Sequence, residues 1–148
     1  MSSHPIGLLN GPNLGRLGIR EPDIYGKITL EEIEDRFREE AKKLGVVVEC
    51  DQSNHEGAII DRIEQWSDQE FAGVIINPGG FTHTSVALRD AIHSTAVPFV
   101  EVHLSNIHQR EEFRHRSLTA ASCDAVIAGM GPEGYYAALR YLVAKFRG

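Results

Sequence analysis

Gly73-Val74-Ile75-Ile76-Asn77 is a continuous apolar run closed by an amide and followed at once by the turn residues Pro78-Gly79-Gly80. A run this short, with β-branched residues side by side, fits a strand covered on both faces, as in a parallel sheet. Four more β-branched runs occupy residues 5–10, 46–51, 98–103 and 124–128.

The segments between them carry helical periodicity. Leu30, Ile33, Phe37, Ala41 and Leu44 fall on one face of a helix. Thr29 and Glu32 form its capping box and Gly45 marks its end. Ile59, Ile60, Ile63 and Trp66 make a second stripe, preceded by a second candidate capping box of Ser53 and Glu56. A third helix is predicted over residues 84–93, and a last one carries Tyr135, Leu139, Leu142, Val143 and Phe146. Strand and helix therefore alternate to the end. That pattern implies a parallel sheet with right-handed crossovers and helices on both faces. Five strands point to an α/β, flavodoxin-like three-layer sandwich of order 2-1-3-4-5. The whole of residues 1–148 reads as one such domain, with no repeat or linker.

Composition narrows the function classes. At 148 residues the chain can bury roughly 70% of its unfolded surface without metal or disulfide help. The formal charge of −6 argues against a broad basic face for nucleic acid. No apolar run approaches the ~20 residues that cross a bilayer, and the N-terminus lacks the pattern of a signal peptide. The expectation is a soluble, cytoplasmic protein, with Cys50 and Cys123 as small, unpaired core residues.

In an open parallel sheet, ligands bind beyond the carboxyl ends of the strands. The unusual polar residues of this chain lie there. The first strand runs into Asn10-Gly11-Pro12-Asn13, then Arg16, Arg20 and Tyr25; the second into Gln52-Ser53-Asn54; the third into Asn77 and on to Thr82-His83-Thr84-Ser85; the fourth into Glu101-Val102-His103-Leu104-Ser105-Asn106. The irregular stretch 11–28 is long for a compact domain, and loops of that length are usually functional or disordered.

A tyrosine has a reference pKa of about 10, so a phenolate near neutrality needs roughly 4 kcal/mol of differential stabilisation, which arginines in a closed site can supply. Tyr25 is thus either a base or a loop tyrosine packed on the domain edge. His103 follows Glu101 by two residues, so both side chains leave the strand on one face. The carboxylate would hold the imidazole in one tautomer for acid or base work, or the pair is a hydrogen-bonded core histidine. Asn13 and Asn77 read as ligand contacts or as turn residues. The charge run over residues 110–116 reads as a solvated helix face, Arg114 excepted.

Several of these strings together resemble the type II dehydroquinases in order and spacing. They are Asn10-Gly11-Pro12-Asn13-Leu14, Arg20-Glu21-Pro22 with Tyr25-Gly26, Gln52-Ser53-Asn54, the Thr82 to Ala91 string, Glu101-Val102-His103 with Ser105-Asn106, Arg110-Glu111-Glu112 and Arg114-His115. The likeness spans nearly the whole chain, and an ordered set is far more specific than any one motif. It implies cofactor-free dehydration of 3-dehydroquinate, in aromatic biosynthesis or quinate breakdown. It also implies that Tyr25 is the base, Arg20 its activator, Asn13 the holder of an enolate-stabilising water, and His103 the acid oriented by Glu101. By the same resemblance Ser105 and the backbone at Leu104 take the substrate carboxylate, and Asn77, His83 and Arg114 hold the ring hydroxyls. Asp90 would approach from a neighbouring subunit of a homododecamer, a tetramer of trimers. Gly15-Arg16 departs from the Asn-Leu often found in the family, which bears on the loop and its inhibitors rather than on the reaction.

Three other readings have distinct signals. Gly129-Met130-Gly131-Pro132-Glu133-Gly134 spells GxGxxG between a strand and a helix, which suits a flavin or nucleotide phosphate. It follows the last strand, however, with no further βαβ unit to complete a dinucleotide site. A response-regulator-like switch needs an acidic cluster where this rim has Asn10, Asn77 and Asn106. The histidines show no spacing suited to a metal.

Overall fold

The computed structural model describes residues 4–148. The strands are β1 (Ile6–Asn10), β2 (Val48–Gln52), β3 (Gly73–Asn77), β4 (Phe99–His103) and β5 (Ala125–Ala128). They form one parallel sheet of order β2-β1-β3-β4-β5. The helices are α1 (Pro22–Tyr25), α2 (Leu30–Leu44), α3 (Glu56–Asp68), α4 (Phe81–Thr84), α5 (Val86–His93) and α6 (Glu133–Arg147). The flavodoxin-like expectation holds, with strand ends moved by one or two residues.

Alternation along the strands divides the core in two. Ile6, Leu8, Ile75, Val100 and Val102 pack against Ile33 and Phe37 of α2 and Leu139 and Leu142 of α6. Leu9, Val74, Ile76 and Phe99 pack against Ile59, Ile63 and Trp66 of α3 and Leu88 and Ile92 of α5. Burial on both faces is complete for β1, β3 and β4. It fails at the edges: β2 and β5 are only partly covered, and Val47 and Val126 stand in solvent. An edge strand lacks a neighbour to shield it, which the apolar run alone does not reveal.

The Thr29 capping box is present in full, and Gly45 closes α2 in the left-handed conformation (φ 73°). The second box does not form. His55 is the N-cap of α3, the Ser53 hydroxyl accepts from the His55 N–H, and Glu56 accepts instead from the Ser85 hydroxyl. The predicted helix over residues 84–93 is likewise two pieces. Ser85 leaves helical geometry and accepts from the Leu88 N–H, so it caps α5 and separates it from α4.

Cys50 and Cys123 are free and half-buried rather than fully enclosed. They pack against opposite faces of the sheet, so they cannot meet. Burial pushes the Cys50 thiol up to about 12 and raises that of Cys123 as well. Among the described residues no helix is long and apolar enough to cross a membrane.

Gly7 sits directly under the Trp66 indole, and a Cβ there would lie 2.3 Å from the ring. Trp66 has no room to retreat. It is fully buried, stacked on Phe71 with ring centroids 5.0 Å apart, and its indole N–H donates to Glu49 at 2.6 Å. Gly7→Ala should therefore destabilise the fold by about 1–3 kcal/mol in urea unfolding. An unchanged midpoint and slope would show that the indole moves freely.

Candidate active site

The carboxyl ends of β1, β3 and β4 and the loop after β1 surround a cavity of about 170 Å³. The loop is not featureless: it contains a 3₁₀ turn (Leu14–Arg16) and α1. Leu14 and Leu17 are buried in the core on the α2 side, anchoring its first half. Asn13 begins the 3₁₀ turn in the left-handed region (φ 71°), which Asn tolerates better than most residues. Its N–H donates to Asn54 Oδ1 at 3.0 Å, and Gln52 Nε2 donates to Gly11 O at 3.1 Å and Asn54 Oδ1 at 3.2 Å. The end of β2 thus supports the turn that carries Asn13 to the cavity wall.

Tyr25 ends α1, half-buried, and also lines the cavity. Its hydroxyl oxygen accepts from Arg110 Nη1 at 2.7 Å, and the same nitrogen lies 3.4 Å from Ser105 Oγ. Arg20, also on the wall, approaches Tyr25 at the ring. Its guanidinium carbon is 5.3 Å from the ring centroid, and Nη2 lies 3.7 Å from the Glu21 carboxylate. The Arg110 guanidinium carbon stands at the same 5.3 Å from the ring, about the separation at which a cation attracts a π face, so both arginines face the ring and Arg110 in addition bonds the hydroxyl.

Arg110 corrects the expectation of a solvated helix face over residues 110–116. That segment is not one helix: it passes from the end of one 3₁₀ turn (Ile107–Gln109) into another (Glu112–Arg114). The Arg110 side chain is only 14% exposed and turns inward. Glu111, Glu112, His115 and Arg116 are exposed as expected, and Arg114 reaches the cavity. Arg114 is steadied by Nε donation to Glu111 at 3.2 Å.

On the other side of the sheet, β4 carries Glu101 and His103 on the face of Phe99. His103 Nε2 pairs with Glu101 Oε2 at 2.7 Å, and both are buried. No protein partner among the described residues uses Nδ1. Glu101 also accepts from Ser117 Oγ at 2.8 Å and from the Thr119 hydroxyl. Burial alone would raise its carboxyl. The His103 contact and the two hydroxyl donors outweigh burial and hold it below the ordinary carboxylate range. Ser117 and Thr119 escaped the sequence reading because they stand well along the chain in a segment without periodicity.

Asn77, His83, Leu104 and Ser105 line the same cavity. His83 Nδ1 lies 2.8 Å from the Arg116 carbonyl, which ties α4 to the loop after β4 and leaves Nε2 as the free edge of the ring. Two predicted site residues do not line the cavity: Glu101 is fully buried against His103, and Asp90 is exposed on α5. The GxGxxG string is occupied with structure. Gly129 N–H donates to His103 O at 3.2 Å and Gly131 N–H to Leu104 O at 3.0 Å. A Cβ on Gly134 would sit 3.2 Å from Val102 and Ile127. Amides that would cradle a pyrophosphate are committed to the end of β4, and the last glycine serves helix-on-strand packing. Among the described residues no group of three or more His, Cys, Asp or Glu is arranged to hold a metal.

The depressed Glu101 carboxyl makes a signed prediction. A folded-state value below the unfolded one stabilises the fold above about 4.5, and this contribution is lost as pH falls through the folded value. Urea stability should therefore drop more steeply between about pH 6 and about pH 3.5 in the wild type than in Glu101→Gln, which has no carboxyl to protonate. Parallel curves would mean that the carboxyl is not held ionised by its neighbours.

Comparison with known proteins points the same way. Residues 4–143 match the model of the family described as dehydroquinase class II. A "3-dehydroquinate dehydratase" of Bacillus cytotoxicus is 58% identical over 93% of this chain and 94% of its own length. One from Bacillus mycoides is 57% identical over 95% of both. Among solved structures, a type II dehydroquinase from Butyrivibrio crossotus superposes with a TM-score of 0.93 at 47% identity, covering 95% of this chain and 99% of that one. Another, from Propionibacterium acnes, gives 0.92 at 43% identity, covering 97% and 98%. With its strand order, its cavity at the strand ends and likeness along nearly its full length, the chain belongs to the type II dehydroquinase family.

Proposed function

We propose that this protein is a 3-dehydroquinate dehydratase, a hydro-lyase that acts as one catalytic domain on 3-dehydroquinate without a cofactor. The reaction belongs to the shikimate pathway and equally serves quinate breakdown. The observation that carries the reading is the Arg110 guanidinium donating to the Tyr25 hydroxyl on the wall of a cavity that His103 also lines.

The chemistry follows from the substrate. Its C3 ketone acidifies the hydrogens on C2, so a base can take one and leave an enolate. Tyr25 is that base. As its phenol gives up a proton, negative charge gathers on the oxygen that faces Arg110, where a cation in a half-buried setting is worth more than in water. Arg20, over the ring, adds positive charge on the same tyrosine. Asn13 holds a water against the enolate oxygen. The enolate then expels the C1 hydroxyl, and His103 supplies the proton that lets it leave as water. Glu101 accepts from one imidazole nitrogen, which keeps the ring oriented and the other nitrogen toward the cavity. The proton gained by Tyr25 returns through solvent to His103, so the cycle consumes only substrate and yields 3-dehydroshikimate and water.

The remaining wall residues suit a polyhydroxylated carboxylate. Ser105 and the backbone at Leu104 take the carboxylate, and Asn77, His83 and Arg114 hold the ring hydroxyls. Asp90, exposed on α5, is then free to reach a neighbouring copy in a dodecamer of four trimers. A flavin or nucleotide is disfavoured by the committed amides of Gly129 and Gly131.

Three outcomes follow for an assay of enone absorbance from 3-dehydroquinate. Tyr25→Phe should remove nearly all turnover while the unfolding curve stays in place; a tenth of the rate remaining would point to another base. Arg110→Ala should lower kcat by at least about a hundredfold, as loss of a charge-directed donor does in a closed site. A kcat near wild type would remove Arg110 from the reaction. EDTA should leave the rate unchanged, and its loss on chelation would require a metal-assisted route.

A further inference from the structure

The α6 side of the sheet end holds a chain of polar contacts that lies behind one residue of the proposed substrate wall, Asn77. Asn10 and Asn77 close β1 and β3 in register with one another. Between them stands the hydroxyl of Tyr135, in the first turn of α6 and fully buried. Asn77 Nδ2 donates to that hydroxyl at 3.0 Å, and the hydroxyl donates to Asn10 Oδ1 at 2.6 Å.

The direction of this chain is set from one end. The Gly79 backbone N–H can only donate, and it points at Asn77 Oδ1 at 3.1 Å. The amide nitrogen of Asn77 is therefore the atom turned to Tyr135. A phenol has one hydrogen, so with Asn77 donating to it that hydrogen goes to Asn10. Asn10 Nδ2 is left buried with no hydrogen-bond partner among the described residues. An orphan donor in the interior is costly, yet flipping the Asn10 amide would set donor against donor at the phenol. The fold carries the orphan and keeps the direction. Burial pushes the Tyr135 phenol well above its ordinary value, with the Asn77 contact opposing only in part, so the hydroxyl keeps its hydrogen across the working pH range.

We propose that Tyr135 is a positioning residue for the reaction: its hydroxyl holds the Asn77 carboxamide in a single orientation, oxygen to Gly79 and nitrogen to Tyr135, so that the second Nδ2 hydrogen is presented to the cavity. The role rests on reading Asn77 as a contact to a substrate hydroxyl. Asn77 is only 3% exposed yet lines the cavity, so little of the residue is open to a ligand; with Nδ2 as the proposed donor, rotation of the amide would withdraw it. Because that contact is remote from the reacting carbons, its loss should weaken binding more than chemistry.

The test is a double-mutant cycle of Tyr135→Phe and Asn77→Ala, with urea unfolding followed alongside. Tyr135→Phe should raise KM about tenfold with kcat within about threefold of wild type, the size of one lost hydrogen bond. In the Asn77→Ala background the same change should raise KM by less than about twofold, because its target is gone. Equal effects in both backgrounds, or no effect of Tyr135→Phe while Asn77→Ala raises KM, would overturn the role of Tyr135 and leave Asn77 as a substrate contact. A wild-type KM for Asn77→Ala would sink the reading of Asn77 itself, and the proposal with it. If Tyr135→Phe does not fold, Asn10→Ala takes its place in the cycle. It removes the acceptor, frees the phenol hydrogen to oppose Asn77 Nδ2, and should give the same background dependence.

Discussion

The contact between the Arg110 guanidinium and the Tyr25 hydroxyl joins two parts of the chain that lie far apart in sequence. Tyr25 lies on a loop whose second half is only partly packed: Ile19 and Ile24 are exposed, while Tyr25 and Ile28 rest half-buried on the core. Arg110 comes from the turns after β4. The strand order makes the meeting possible, because β1 and β4 both flank β3 and all three deliver their carboxyl ends to one rim. The guanidinium spans the rim, reaching Tyr25 with the same nitrogen that faces Ser105. A cation held there ties the loop to the turns after β4 and stands against the phenol oxygen.

The proposed acid is built on different principles. His103 needs no loop, since it ends a fully buried strand and its partner Glu101 sits two residues earlier on the same face. The carboxylate survives burial only because His103, Ser117 and Thr119 surround it with donors. The proposed acid, on a rigid strand, and the proposed base, on a loop, approach the cavity from opposite faces of the sheet. Tyr25 packs on the α2 and α6 side, and the face of His103 is the one Phe99 packs toward α3 and α5. That division suits removal of a proton and a hydroxyl from opposite sides of a ring.

The sheet was legible in the sequence because its signal is local. Apolar runs such as Gly73–Asn77 carry their period within a few residues, and Thr29 with Glu32 announces a helix within one turn. The rim motifs were legible for the same reason, being short strings at strand ends. What stayed hidden depends on contacts distant along the chain. Arg110 lies among Glu111, Glu112 and Arg114, and only the pairing with Tyr25, 85 residues away, turns it inward. Ser117 and Thr119 gain meaning from Glu101, and Tyr135 reads as one more apolar residue of a helix stripe until its hydroxyl is seen between Asn10 and Asn77. The second capping box failed on similar grounds, because Ser85 claimed Glu56 from across the fold.

The central claim is that a tyrosine hydroxyl under a guanidinium takes hydrogen from a carbon beside a ketone. A crystal structure with a substrate analogue bound tests it most directly. The account predicts the Tyr25 oxygen within about 3.5 Å of the analogue's C2, the reach of a near-attack geometry, with Arg110 still on that oxygen. An analogue seated in the cavity with the Tyr25 oxygen well beyond that reach, or with Arg110 turned away to solvent, would contradict it.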